Sequence, residues 1–200
     1  MTTEQEKFFE IKTYHSYKKI GDDLDYAVIV SDNSVILQFQ ESISKTDWKN
    51  NFSFLPCRLK ICDKHIWTTK GYARAYSDIP IDEFKRACEE FPEYTRIIRG
   101  WSFGSAMAKI ASVHFTQDGK KLDELTTFGD VKCFLNPFRK IKNCTRIRQY
   151  VTINDFITWC VPFYYRTNKC KVGDRFSFKK IFNTDYYHCN YDKYDYSKFE

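Results

Sequence analysis

The stretch Ile97-Ile98-Arg99-Gly100-Trp101-Ser102-Phe103-Gly104-Ser105-Ala106-Met107-Ala108-Lys109-Ile110 decides the fold. It completes a β-favouring run that starts at Tyr94, turns through Gly-Trp-Ser-Phe-Gly, and continues as small, amphipathic residues with no helix breaker until Gly119. Strand, sharp turn and helix in that order make a nucleophile elbow. Gly100 and Gly104 lack the Cβ atoms that would collide where the helix doubles back, so the Ser102 hydroxyl stands exposed at the turn. It also stands at the positive end of a helix, where backbone N–H groups face developing negative charge. A Gly-x-Ser-x-Gly pattern is common by chance, and the flanking strand and helix signals are what give it meaning here.

Working outward, Asp25–Val30 and Ser34–Phe39 are β-rich runs around Ser31-Asp32-Asn33, which reads as a hairpin. Their consecutive apolar positions predict strands covered on both faces. The first two dozen residues read as an opening helix or extended lead-in, and Arg58–Cys62 as a short strand. A helical pattern runs through Tyr72, Ala75 and Tyr76, and a second through Ile81, Phe84, Cys88 and Phe91, with Pro80 at its first turn. After the elbow, Leu125–Phe128 and Arg146–Ile153 read as strands, Pro137–Lys142 as a brief helix, and the remainder as an aromatic, turn-rich tail. Strands alternating with helices after an initial hairpin predict an α/β class: a central, mostly parallel sheet flanked by helices on both faces.

Two hundred residues, 42% of them hydrophobic, suffice for one well-cored domain and fall short of two, so 1–200 reads as a single compact domain with 1–24 as its lead-in. The net charge of +6 is mild, with Lys and Arg interleaved among 26 acidic residues; it suits an anionic interface and is equally ordinary for a soluble protein. The densest basic segment, residues 139–148, lacks interleaved aromatics and reads as a solvated face, so no nucleic acid is expected. The N-terminus, Met1 to Lys7, is polar where a secretory signal would turn apolar, and no run nears the ~18 apolar residues of a membrane span. The expectation is a soluble, cytoplasmic chain, with peripheral contact to a lipid interface as its one membrane relation. Eight scattered cysteines without a CxxC read as reduced thiols, and neither metal nor cofactor is expected.

A serine hydroxyl needs a base within hydrogen-bond reach and a third group to orient that base. Of the four histidines, His114 lies twelve residues along the elbow helix, about 18 Å away at 1.5 Å per residue. His15 and His65 precede the serine. His188 fits the chain order serine, acid, histidine. For the acid, Asp155 follows the strand ending at Ile153, and Asp130, after the preceding strand, is the runner-up. The Phe103 N–H is a donor for an oxyanion by elbow geometry, and a second donor is expected from Gln40-Glu41-Ser42.

Taken in order, these segments resemble the class 3, fungal-type lipases of the α/β-hydrolase fold. Phe39-Gln40-Glu41-Ser42 with Trp48 is similar to the family's oxyanion segment, and Thr68 to Tyr72 with Ala75-Tyr76 to its H-x-G-F segment. Gly100 to Ala108 resembles G-H-S-L-G-G-A-L-A, Thr127 to Lys132 resembles T-F-G-x-P-R-V, and Ile153 to Pro162 resembles N-x-x-D-x-V-P. His188 stands where the family has its last histidine. The resemblance implies acyl-ester hydrolysis with Ser102 as nucleophile, Asp155 as acid and His188 as base. It implies an oxyanion hole from Ser42 and Phe103, and a lid over 43–55 in which Trp48, Phe52 and Phe54 meet lipid or a small ester. The chain departs from the pattern at Trp101, where the family has histidine, at Glu41, where it has glycine beside the oxyanion donor, and at Ser105, where it has the second glycine. Glu41 is the feature favouring the alternative, a non-catalytic binding or regulatory protein on a lipase-like scaffold.

Overall fold

The structure, a computed structural model, describes residues 1–20, 24–40, 53–76, 81–117, 119–136, 141–161, 164–165, 169–173 and 175–199. The central element is the elbow. Strand β6 (Thr95–Trp101) ends at the turn, and the helix that follows, Phe103–Gln117, rises from it. That helix is buried from Phe103 through Val113, its polar Ser105, Lys109 and Ser112 included, where the sequence predicts an amphipathic helix with one solvated face.

Around β6 the sheet is built strand by strand. The hairpin forms as expected: β2 (Leu24–Ser31) and β3 (Ser34–Phe39) pair antiparallel through Asp32 and Asn33, both at positive φ (46° and 61°), the conformation that a two-residue primed turn demands. β1 (Lys18–Ile20) adds to the outside of β2. On the other side β6 pairs in parallel with β3 and with β7 (Leu122–Phe128), which pairs with β8 (Cys144–Val151), and β9 (Cys170–Lys171) closes the edge. The order is β1-β2-β3-β6-β7-β8-β9, antiparallel at the hairpin edge and parallel from β3 onward. The parallel register sets Phe39 beside Gly100 and Trp101 beside Phe128, so the carboxyl ends of three strands meet at the elbow.

One hairpin differs from the sequence reading. β4 (Pro56–Ile61) turns at Cys62-Asp63 and returns as β5 (Lys64–Thr69), a two-stranded sheet of its own. The second strand went unrecognised because only Ile66, Thr68 and Thr69 are buried, which leaves a short alternation with little apolar weight. The lead-in contains a helix, α1 (Thr3–Thr13), capped by a reciprocal Thr2/Gln5 box. Helices α2 (Lys70–Tyr76), α3 (Ile81–Glu90) and α4 (Phe103–Gln117) are associated with one core cluster, which includes Leu37, Ile98, Met107, Phe115 and Leu125. A second cluster holds Phe8 and Ile11 of α1, Trp101, Phe128, Tyr150, Tyr191 and Tyr196.

The strand surface next to α1 is not purely apolar. Buried Arg99 donates to Gln38 (2.6 Å) and Glu10 (2.5 Å), and Glu4, fully buried, accepts from Lys7 (3.1 Å) and Arg148 (2.5 Å). Lys7 also reaches Glu124 at 2.5 Å. A buried charge is costly unless paired, and α1 supplies the partners, which is why it carries so many charged residues on an inward course. Pro137 of the expected helix 137–142, together with residues 138–140, lies outside the described residues. No disulfide joins any of the eight cysteines.

Candidate active site

Ser102 sits at φ 55°, a left-handed conformation that a non-glycine residue adopts at a cost of about 1–3 kcal/mol. The surrounding structure holds it there: the Ser102 N–H donates to the Phe128 carbonyl (3.0 Å), and its own carbonyl accepts from the Ser105 N–H (2.9 Å). The close approaches expected of the glycines are present. A Cβ on Gly104 would lie 2.5 Å from the Gln40 carbonyl oxygen, and one on Gly100 would run into the Gly104 carbonyl. Gly104 thus lets α4 lie against the end of β3.

From the serine a chain of contacts runs outward. Ser102 Oγ lies 2.6 Å from His188 Nε2, and His188 Nδ1 lies 2.7 Å from Asp155 Oδ2. A proton on Nδ1 bonded to the carboxylate leaves Nε2 free to accept from the hydroxyl, the tautomer a general base requires. His188 is on helix α6 (Thr184–Cys189), which follows the short helix α5 (Phe178–Ile181). Asp155 leaves β8 by three residues and caps the 3₁₀ turn Phe156–Trp159, accepting the Ile157 N–H on Oδ1 at 3.1 Å. Both Asp155 and His188 are buried, whereas Ser102 is half-exposed.

Three supports of this arrangement were not read from the sequence as such. The Tyr191 hydroxyl donates to Asp155 Oδ2 (3.0 Å) and accepts the Thr152 N–H (3.1 Å). Burial, and the Asp155 charge beside it, push that hydroxyl's pKa well above its ordinary value, so it stays a donor. The sequence offered only a tyrosine three residues after the histidine, in a tail with many tyrosines. Trp101, at the position where the family has histidine, is buried and donates its Nε1–H to the His188 carbonyl at 3.1 Å. Gly129, at φ 52°, passes under the imidazole so closely that a Cβ would stand 2.9 Å from His188 Cε1.

The other candidates fall elsewhere. Asp130, the runner-up acid, is fully buried but bonded to Lys109 (2.9 Å) and to the Thr127 hydroxyl (2.8 Å). His114 bonds the Tyr76 hydroxyl (2.8 Å), His65 lies exposed near Arg58, and His15 is exposed. Phe103 is the first residue of α4, so its N–H is one of the four that a helix cannot satisfy internally. Ser42 and Glu41 lie outside the described residues, as do Trp48 and Phe52 and the lid span apart from residues 53–55. Phe54 is half-buried, its carbonyl accepting from the Tyr164 hydroxyl at 3.1 Å. Ser105, in place of the family's glycine, accepts the Val131 N–H on its Oγ at 3.1 Å and joins α4 to the segment after β7. Among the described residues no cluster of His, Cys, Asp and Glu is arranged to hold a metal ion, and no helix is long and apolar enough to cross a membrane.

Solved structures share the fold. The chain superimposes on a fungal lipase in complex with an inhibitor (18% identity, TM-score 0.67), over 78% of its own length and 65% of that protein's. It superimposes equally on the native Rhizomucor miehei lipase–propeptide complex (18%, TM-score 0.66, 80% and 56%). The mono- and diacylglycerol lipase from Aspergillus oryzae matches at 16% identity and TM-score 0.63, with 79% and 62% covered. The chain therefore spans less than two thirds of these proteins' lengths. A search of curated protein sequences finds no significant match. The family model for lipase (class 3) matches residues 36–165, well over half of the sequence and the sheet from within β3 through β8, and the chain belongs to the class 3 lipase family.

Proposed function

We propose that the protein hydrolyses acyl esters of lipids through Ser102, His188 and Asp155. The observation that carries this reading is the unbroken contact chain from the strained Ser102 hydroxyl through both imidazole nitrogens to a buried carboxylate. In the forward step His188 Nε2 takes the hydroxyl proton as Oγ bonds to the ester carbonyl carbon, and the carbonyl electron pair moves onto oxygen. The Phe103 N–H, which the start of α4 leaves without an intrahelical partner, is the first expected donor to that oxyanion, with Ser42 as the expected second. Collapse breaks the ester C–O bond, His188 returns its proton to the leaving alcohol, and water repeats the sequence on the acyl-enzyme. Asp155 keeps the ring in its productive tautomer and stabilises the imidazolium. The name of the Aspergillus oryzae relative, a mono- and diacylglycerol lipase, supports lipid esters as substrates. The basic charge balance favours a phospholipid among these, making phospholipase A1-type release the finer proposal.

The test is covalent labelling of Ser102 by a fluorophosphonate, together with turnover of p-nitrophenyl esters and of phospholipid vesicles. Labelling is expected, and Ser102→Ala is expected to abolish it and to lower turnover on the order of 10⁴-fold. An unlabelled protein whose slow turnover survives Ser102→Ala is a binding scaffold and not a hydrolase.

A further inference from the structure

Three segments that hold the site also carry large rings on their outer side. The 3₁₀ turn that Asp155 caps exposes Phe156 and Trp159, the strand-to-helix segment before α5 exposes Phe176 and Phe178, and Tyr186 is exposed on α6, two residues before His188. Phe182, just past α5, is 91% exposed and Phe178 75%. These segments are fastened to one another. Asn154, next to Asp155, donates to the Arg175 carbonyl (3.3 Å) and accepts the Ser177 N–H (3.1 Å), and α6 packs on the Phe156–Trp159 turn. Phe176 and Phe178 meet edge to face at 5.0 Å.

Charge follows the rings. Residues 169–182 contain Lys169, Lys171, Arg175, Lys179 and Lys180 against Asp174 alone, a net charge of +4. Lys171 and Arg175 are exposed, and Lys169 and Lys171 line one small cleft with Trp159. Isolated exposed rings are ordinary, but a group of them rimmed by one sign of charge marks a contact surface. Aromatic rings flanked by Lys and Arg are matched to the boundary of an anionic bilayer, where rings enter the headgroup layer and ammonium and guanidinium groups meet lipid phosphate.

We infer that the face formed by the Phe156–Trp159 turn, residues 169–173 and 175–182 and α6 docks the protein on anionic phospholipid membranes, with the half-exposed Ser102 beside it. The inference deepens the lipid-ester reading and rests on it for choosing a bilayer over other polyanions. Docking by this face is separate from any lid over 43–55: its rings are on segments that also carry Asp155 and His188, so the surface and the site are built as one.

The experiment measures co-sedimentation of the full chain with phosphatidylcholine vesicles, with and without phosphatidylglycerol. It compares wild type, Phe178→Ser with Phe182→Ser, and Lys171→Glu with Arg175→Glu. Wild type is expected to favour the anionic vesicles by at least about tenfold at low salt and to lose that preference as salt rises. Each double variant is expected to lose on the order of tenfold or more in partition while soluble p-nitrophenyl acetate turnover stays unchanged. Equal binding to neutral and anionic vesicles, wild-type binding by both variants, or tighter retention on RNA than on vesicles overturns the docking surface. Fluorophosphonate labelling with no vesicle binding removes docking and leaves the hydrolase, whereas vesicle binding without labelling removes the hydrolase and leaves the surface.

Discussion

Among the described residues the Asp155 carboxylate receives three hydrogen bonds, and their geometry separates their roles. The Ile157 N–H on Oδ1 belongs to the local cap, whereas His188 Nδ1 and the Tyr191 hydroxyl share Oδ2. Two donors on one oxygen fix the carboxylate plane and with it the imidazole, so Tyr191 acts on the serine through two intermediaries and is a positioning residue. Tyr191→Phe removes one bond to a charged acceptor, worth about 1.5–3 kcal/mol, and leaves the ring's packing against Phe8 and Phe128 intact. Turnover of a soluble ester is expected to fall about tenfold in kcat with little change in KM. Because burial raises the Tyr191 pKa well above 10, the hydroxyl remains protonated throughout the working range. The ratio of wild-type to variant activity is therefore expected to stay flat from neutral to moderately alkaline pH. A ratio that collapses as pH rises means that the hydroxyl ionises and the role assigned to it is wrong.

At the scale of elements, the elbow helix is tied to the segment after β7 by chemistry that a G-x-S-x-G pattern does not contain. Lys109 and Asp130 are both fully buried, 2.9 Å apart, and Lys109 also bonds the Val131 carbonyl, while Ser105 receives the Val131 N–H. These contacts hold Gly129 under the His188 ring. Breaking such a pair from one side strands a buried charge, so Lys109→Met is expected to destabilise the fold by about 3–5 kcal/mol in urea unfolding. Lys109→Met with Asp130→Leu is expected to recover most of that loss, because removing both charges also removes their desolvation cost. A double variant as unstable as the single one means the pair is needed for packing and not for charge compensation. The strand, turn and helix of the elbow were legible because glycines, β-branched residues and small residues follow one another in a pattern few structures satisfy. Asp130 could be read only as a carboxylate after a strand, and its partner, 21 residues earlier on α4, could not be read at all. β5 was missed for a related reason: its six residues bury only one large apolar side chain, so periodicity has little to register.

At the scale of the molecule, the two ends of the chain complete each other on the face of the sheet opposite α2 and α3. The family match covers 36–165, yet His188, Tyr191 and α1 lie outside it. Phe8 of α1 contacts Trp101 (5.1 Å), Phe128 (5.2 Å) and Tyr191 (5.9 Å), Gln5 donates to the Tyr194 carbonyl (3.0 Å), and Lys12 donates to the Cys189 carbonyl (2.9 Å). A lead-in read from sequence carries none of this, since each contact joins residues far apart in the chain and α1 lacks a clean apolar stripe to announce what it covers. The consequence is that the position of His188 depends on residues at the other terminus. Deleting residues 1–13 exposes Trp101, Phe128 and Tyr191 to water and removes two of the tail's anchors. Hydrogen exchange is then expected to accelerate across 184–199 while α4 keeps its protection, because α4 is packed in the other core cluster. Ester turnover and fluorophosphonate labelling are both expected to fall with the tail's protection, by tenfold or more, because each needs the base on the serine. A truncated chain that retains native exchange over 184–199 and full turnover makes α1 a cover for the charged sheet face alone, with the histidine held by Trp101 and Asp155 without it.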